Sequence, residues 1–175
     1  DTGGQSVAIP GLLRALNLLL KDHGTKSFAE VAAPAIALAR EGFGTSYTGA
    51  LTMADASVQS KIRQSEAFRK LYRKAGGIDY CFGEKQKNPE LADLLQSVAE
   101  NGVDAFYEGE IAEQIVRSIN ERGGCFTKED LIRYQPQYRE VVRTDYRGYE
   151  VVSFPPPGGG CAVIEMLNIL ENSDL

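Results

Sequence analysis

Few side chains in this 175-residue chain are equipped for covalent chemistry, and their spacing argues against most of it. There is one histidine, His23. Without a second, a Ser-His-Asp relay or a histidine-rich zinc site would have to borrow residues from outside the chain. His23 falls at the last turn of a helical stretch, where the dipole favours a cation, so a surface role is expected. Cys81, Cys125 and Cys161 are odd in number and widely spaced. That argues against a disulfide framework, and each is expected to pack as an unpaired small hydrophobe, even Cys161 beside a helix start. The acids Asp79, Glu84, Asp93, Glu108, Glu110, Glu113, Asp130 and Glu140 are dispersed, with nothing marking a glycosidase pair. Gly158, Gly159 and Gly160 lack the Lys-Ser/Thr that completes a phosphate loop. The remaining candidate is the corner Pro155 to Gly160. It is expected to be a turn, with Pro157, Gly158, Gly159 and Gly160 able to line a cleft because glycine lets another backbone or a ligand approach closely. Neither a metal nor a cofactor is expected.

The elements that must position this corner are legible on both sides. Arg139 to Thr144 and Gly148 to Phe154 are β-rich runs separated by a Gly-containing turn, the pattern of a hairpin. Pro155, Pro156 and Pro157 end the second strand, since they cannot donate to a ladder. Cys161 to Glu171 is apolar except for Glu165 and Asn168, with Asn172 beyond its end on the same stripe, which predicts a largely buried helix. Upstream, Pro10 is expected to open a helix that stops before Gly24, with Arg14, Asn17 and Lys21 as its polar stripe and the rest deeply packed. Ser27 and Glu30 form a capping box. Phe28, Val31, Ala32, Ala35 and Ala39 follow at helical spacing, and Pro34 should kink that helix or break its first turns. Leu51, Ala54, Val58 and Ile62 suggest one weakly amphipathic helix, and Ser65 begins another. Gly76-Gly77 and the run Gly83 to Asn88 read as loops. Asn88 caps and Pro89 starts a helix with Leu91, Leu94, Leu95, Val98 and Ala99 on its buried side. Asp104 to Gly109 reads as a turn holding two aromatics, Ile111 to Ile119 as a helix, and Thr127 as the cap of one more. No repeat is apparent. The fold class is therefore α+β and helix-rich, with several helices, one β-hairpin and a final helix, in a single domain over residues 1–175.

Composition narrows the partners. Hydrophobic residues make up 43% and charged residues 25%, with a net charge of −5, as in an ordinary globular chain. The cations Lys61, Arg63, Arg69, Lys70, Arg73 and Lys74 stand among acids and glutamines and read as a solvated helix face. Nucleic acid is not an expected partner. No apolar run approaches the ~20 residues needed to span a bilayer, and no signal peptide is visible. The chain starts on Asp1 without a methionine and stops shortly after a helix, so a piece of a longer polypeptide is expected.

Several stretches resemble the γ-glutamyltranspeptidase family. They are DYRGYEVVSFPPPGGG (residues 145–160) with MLNILEN (166–172), HGTKSFAEVAAPAIALAREGF (23–43), SVAIPG (6–11) and the run 99–135, together about half of the chain. One departure stands at the corner, where Gly158-Gly159-Gly160-Cys161 replaces the usual two serines and two glycines. The resemblance implies the large subunit of an N-terminal-nucleophile hydrolase, with the hairpin and helices drawn from an αββα sandwich. It implies a precursor that cleaves itself to expose a threonine, whose hydroxyl attacks a γ-glutamyl amide such as glutathione while its own α-amine serves as base. That threonine and the oxyanion-hole glycines are implied to lie downstream of Leu175, and the arginine that pairs with the substrate carboxylate upstream of Asp1. Thr2 is not that nucleophile, because Asp1 precedes it and it has no free amine. No catalytic residue is therefore expected in this chain. The implied partners are the remaining large subunit, the small subunit and a γ-glutamyl substrate, and the implied location is periplasmic or extracellular. A fragment with uncovered apolar faces is expected to dimerise through the Tyr138 to Phe154 region or the final helix. Alternatives are a related β-lactam or glutaryl acylase, a poly-γ-glutamate-processing enzyme, or a non-catalytic helical binding module.

Overall fold

The computed structural model describes residues 3–173, which form two compact units divided after Gln135. In the first, a 3-10 turn (Gly4–Ser6) leads into α1 (Leu12–His23) and α2 (Phe28–Glu41). A short β1 (Phe43–Gly44) precedes α3 (Tyr47–Ala54), α4 (Ala56–Gln64) and α5 (Glu66–Tyr72). Then come β2 (Lys85–Gln86), α6 (Pro89–Asn101), α7 (Asp104–Glu108), α8 (Glu110–Asn120) and α9 (Lys128–Arg133). The second unit is an antiparallel hairpin, β3 (Val142–Tyr146) and β4 (Tyr149–Ser153), with α10 (Gly160–Leu170) packed on it. The helix-rich α+β class is observed.

Capping chemistry sets the helix starts as the sequence predicts. Ser27 and Glu30 close a reciprocal capping box on α2, and Thr127 and Asp130 close another on α9. The Asn88 side chain accepts from the Leu91 N–H at 3.0 Å, with Pro89 at the first helical position of α6. Three boundaries differ from expectation. α1 begins at Leu12 rather than Pro10, whose carbonyl instead accepts from the Tyr107 hydroxyl at 2.6 Å. The helix expected across residues 51–62 is divided at Asp55, whose carboxylate accepts from the Ser57 and Val58 N–H groups and caps α4. α2 runs unbroken through Pro34.

The core of the first unit is centred on residues that the sequence suggests only as a turn. Phe106 and Tyr107 of α7 are buried with Val98, Val103, Ala112 and Leu131, and Ile111, Ile115 and Val116 of α8 pack against them. Adding Val103 as a lead-in lets Asp104 to Glu108 close one helical turn and drive both rings inward. A second cluster joins Ala32, Ile36 and Ala39 of α2 to Ala92 of α6. The buried face of α2 is therefore rotated from the expected one, and Val31 and Ala35 are exposed. Small residues at this crossing let the two helices approach closely. The expected loop at 83–88 contains β2, because Lys85 and Gln86 pair with Gly44 and Phe43. A ladder partner so distant in sequence leaves no local signal.

Two helices expected to be buried are not. In α1 the leucines Leu12, Leu16 and Leu19 are exposed, whereas Arg14, from the supposed polar stripe, is 7% exposed. In α10 only Gly160 is buried, while Val163, Met166 and Ile169 stand open. A two-stranded hairpin covers one side of a helix, and the other apolar side has no cover among the described residues of this unit. The cysteines are unpaired as expected, but all three are exposed rather than packed.

Exposed carboxylates make the fold acid-sensitive. Hydrogen bonds from the Ser27 hydroxyl hold Glu30 below its ordinary 4.5, and those from Thr127 hold Asp130 below 3.8. Lys74 lowers Glu84, and Lys128 lowers Glu113, in each case chiefly through a direct side-chain hydrogen bond. A depressed carboxylate pKa adds stability that is full above the unfolded-state value and is lost as pH falls through the folded one. The thermal midpoint should stay level from neutrality to about pH 5 and then decline as acid is added. A midpoint still level at pH 3 would contradict this.

Candidate functional site

The corner between β4 and α10 is built from its own sequence. β4 stops at Ser153, and the Gly158 N–H donates to the Pro155 carbonyl at 2.9 Å, closing a turn through the cis Pro156–Pro157 peptide. Arg139 Nη1 reaches the Pro156 carbonyl at 3.3 Å. Pro157, Gly158 and Gly159 are exposed, and Gly160 is buried. The glycines are not equivalent. A Cβ on Gly160 would sit 2.1 Å from the Phe154 carbonyl oxygen, whereas one on Gly159 would meet nothing within 4 Å.

Beyond the corner, one face of α10 and strand β3 enclose an open groove of 510 Å³, lined by Val142, Arg143, Cys161, Glu165, Asn168 and Asn172 among others. The polar stripe visible in the sequence thus lies along a groove, starting at Cys161 next to the glycines. Thr144 and Asn168 are joined by a 2.7 Å hydrogen bond between Oγ1 and Oδ1, and the Arg147 N–H donates to the Glu171 carboxylate at 2.9 Å. Arg143 is paired with Glu150 at 2.7 Å. The first two contacts lock helix to hairpin, and the third joins the two strands. The groove has hydrogen-bonding groups, a thiol and, one helical turn beyond Cys161, the carboxylate of Glu165.

Elsewhere, His23 is the exposed last residue of α1. Four of the acids singled out in the sequence serve ion pairs: Asp93 with Arg40, Asp79 with Arg73, Glu84 with Lys74, Glu113 with Lys128. Thr2 lies outside the described residues. Among the described residues, no group of three or more His, Cys, Asp or Glu could hold a metal ion, and no helix is long and apolar enough to cross a membrane.

The most heavily bonded side chain, Arg14, is one whose environment the sequence does not signal. Its Nη1 donates to the carbonyls of Leu131, Ile132 and Tyr134 at 3.0, 2.9 and 2.6 Å. Its Nη2 lies 3.3 Å from Asp104 and 3.5 Å from Glu108, and the guanidinium stacks 4.1 Å from the Tyr107 ring centre. Every one of these contacts ties α1 to α7 and α9, so Arg14 is structural.

The family profile described as Gamma-glutamyltranspeptidase matches residues 1–175. The glutathione hydrolase proenzyme of Escherichia coli (strain K12) is 38% identical over 167 residues, covering 95% of this chain and 28% of that protein. The crystal structure of Helicobacter pylori gamma-glutamyltranspeptidase superposes with a TM-score of 0.91 at 33% identity, over 100% of this chain and 50% of that one. A cephalosporin acylase from Bacillus halodurans gives 0.84 at 32% identity, over 97% and 32%. The chain spans less than a third of the length of the curated relatives it matches.

Proposed function

The chain belongs to the γ-glutamyltranspeptidase family, and from that membership we propose that it is an internal stretch of the large subunit of an enzyme that cleaves γ-glutamyl amides. The glutamyl group would pass to water or to an amino acid. Continuous similarity over the whole chain carries this reading, with a TM-score of 0.91 against the Helicobacter pylori enzyme. Relatives named as glutathione hydrolase proenzymes support glutathione as the type of donor and a precursor as the source. The nucleophilic threonine, with its own amine as base, belongs to polypeptide outside these residues. An amine that titrates near neutrality beside its own hydroxyl suits that task.

This stretch then contributes shape rather than reacting groups. Its hairpin and α10 form part of the wall facing the rest of the enzyme, and the corner Pro157, Gly158, Gly159 and Gly160 lines the approach of substrate or small subunit. The exposure of the first three and the open space over Gly159 support that role. In the isolated chain the same uncovered surface, Tyr138, Tyr149, Val152 and Phe154 with the outer side of α10, favours a dimer.

The test is release of the aniline from a γ-glutamyl anilide. The isolated 175-residue chain should give no turnover above background, and light scattering should show it dimeric. A polypeptide extended to the length of its relatives should turn over glutathione in preference to glutaryl amides. Robust turnover by the isolated chain, or a preference for glutaryl amides in the extended one, would overturn the reading, and a clean monomer at high concentration would remove the dimer.

A further inference from the structure

Charge is unevenly spread along this chain. Residues 56–87 hold eight Lys and Arg against three Asp and Glu, in a chain whose totals are 19 against 24. The fold gathers much of that excess around α5. Two grooves of 510 Å³ each share Glu66 and Lys70 as a common edge. Six cations line them, Arg69, Lys70, Arg73, Lys74, Lys87 and Arg122, against the carboxylates of Glu66 and Glu90.

The cations divide into two kinds. Arg73 is fixed on Asp79 at 2.9 Å and Lys74 on Glu84 at 2.7 Å, so they build the wall. Lys70 pairs with Glu90 in an exposed contact, of the sort that water and salt weaken. Arg69, Lys87 and Arg122 are exposed and form no ion pair with any described residue. A run of unneutralised cations along a concave track attracts an extended anion.

We propose that these adjoining grooves bind an extended, carboxylate-rich peptide belonging to another molecule. The lining selects among polyanions. Glu66 and Glu90 accept hydrogen bonds from peptide N–H groups, which neither a lipid surface nor a nucleic-acid backbone supplies along its length. No aromatic side chain lines either groove, so bases have nothing to stack on. The track is concave, whereas a bilayer is flat. Binding here does not depend on the proposed γ-glutamyl chemistry.

A labelled oligoglutamate peptide, titrated with the 175-residue chain and followed by fluorescence anisotropy, tests the proposal. Saturable binding is expected at low salt and should weaken as the Debye length shrinks. The double variant Lys87→Glu/Arg122→Glu should bind about tenfold more weakly. Arg69→Glu, on the other groove, should weaken binding in the same direction by an independent route, and Lys21→Glu on α1 should bind like the parent. Circular dichroism of each variant separates lost binding from lost folding. The proposal fails if the parent shows no saturable binding at low salt, if Lys21→Glu loses as much as the groove variants, or if anionic vesicles or an oligonucleotide bind more tightly than the peptide.

Discussion

Arg14→Ala should lower the stability of the chain by about 3–5 kcal/mol, seen as a fall in the urea midpoint at constant slope. The side chain enters between α1, α7 and α9, and the two N–H groups of its Nη1 are shared among three main-chain carbonyls, those of Leu131, Ile132 and Tyr134. Leu131 and Ile132 belong to α9 and Tyr134 follows its end, so a guanidinium there also meets the negative end of the helix dipole. Hydrogen bonds to a charged donor contribute about 1.5–3 kcal/mol each, and an acceptor left buried without one costs about 1–3 kcal/mol. The ion pairs add less, because Asp104 and Glu108 are mostly open to solvent. Tyr107 depends on the same site. Burial raises its phenol above the ordinary 10.0, and its hydroxyl accepts from the Arg14 N–H while donating to Pro10. Arg14→Lys should recover only part of the loss, since one ammonium cannot reproduce the planar fork over the Tyr107 ring. If Arg14→Ala unfolds within about 0.5 kcal/mol of the parent, water has replaced the guanidinium and this account of the core is wrong.

Gly160→Ala should detach the start of α10 from the hairpin, at a cost of about 3 kcal/mol. Besides the Phe154 carbonyl oxygen at 2.1 Å, the added carbon would meet the Phe154 nitrogen and Ser153 Oγ at 2.7 Å. Two of these three atoms are main chain and cannot rotate away, so helix or strand must shift. Gly159→Ser, one residue earlier, should change stability by no more than about 0.5 kcal/mol, because the space is open and φ is −75°. Gly158→Ser falls between, with Phe154 Cβ at 2.9 Å and the Pro155 oxygen at 3.0 Å. Amide exchange across Val151 to Ser153 reports this locally. Faster exchange in Gly160→Ala but not in Gly159→Ser is the expected pair, and equal exchange in both would show that the close approach does not hold the helix. The serines that the family usually carries at the first two corner positions thus meet different local space here.

Features written in adjacent residues could be recognised without coordinates. The boxes Ser27–Glu30 and Thr127–Asp130 need only a side chain and a main-chain N–H three residues apart. The hairpin was equally plain. Arg147 and Gly148 both adopt positive φ, 49° and 84°, as a two-residue turn between twisted strands requires. The corner Pro157 to Gly160 could also be singled out, although which glycine is obligatory could not. That depends on where the Phe154 carbonyl comes to rest.

Local spacing therefore determined most of the helices and their caps, though not α7 or the break at Asp55, together with the hairpin and the family to which this chain belongs, since each rests on residues within a few positions of one another. Only the tertiary structure decided which side of each element is covered. Periodicity put Arg14 on a polar stripe and the leucines of α1 inside. The fold buries Arg14 and leaves Leu12, Leu16 and Leu19 exposed, because unsatisfied carbonyls at the end of α9 bind a guanidinium more strongly than they tolerate an apolar neighbour. The basic grooves around α5 have the same origin: residues 66–74, 87–90 and 122 meet only after α5, α6 and α8 have packed. Burial and field are sums over neighbours in space, and most of those neighbours are remote along the chain.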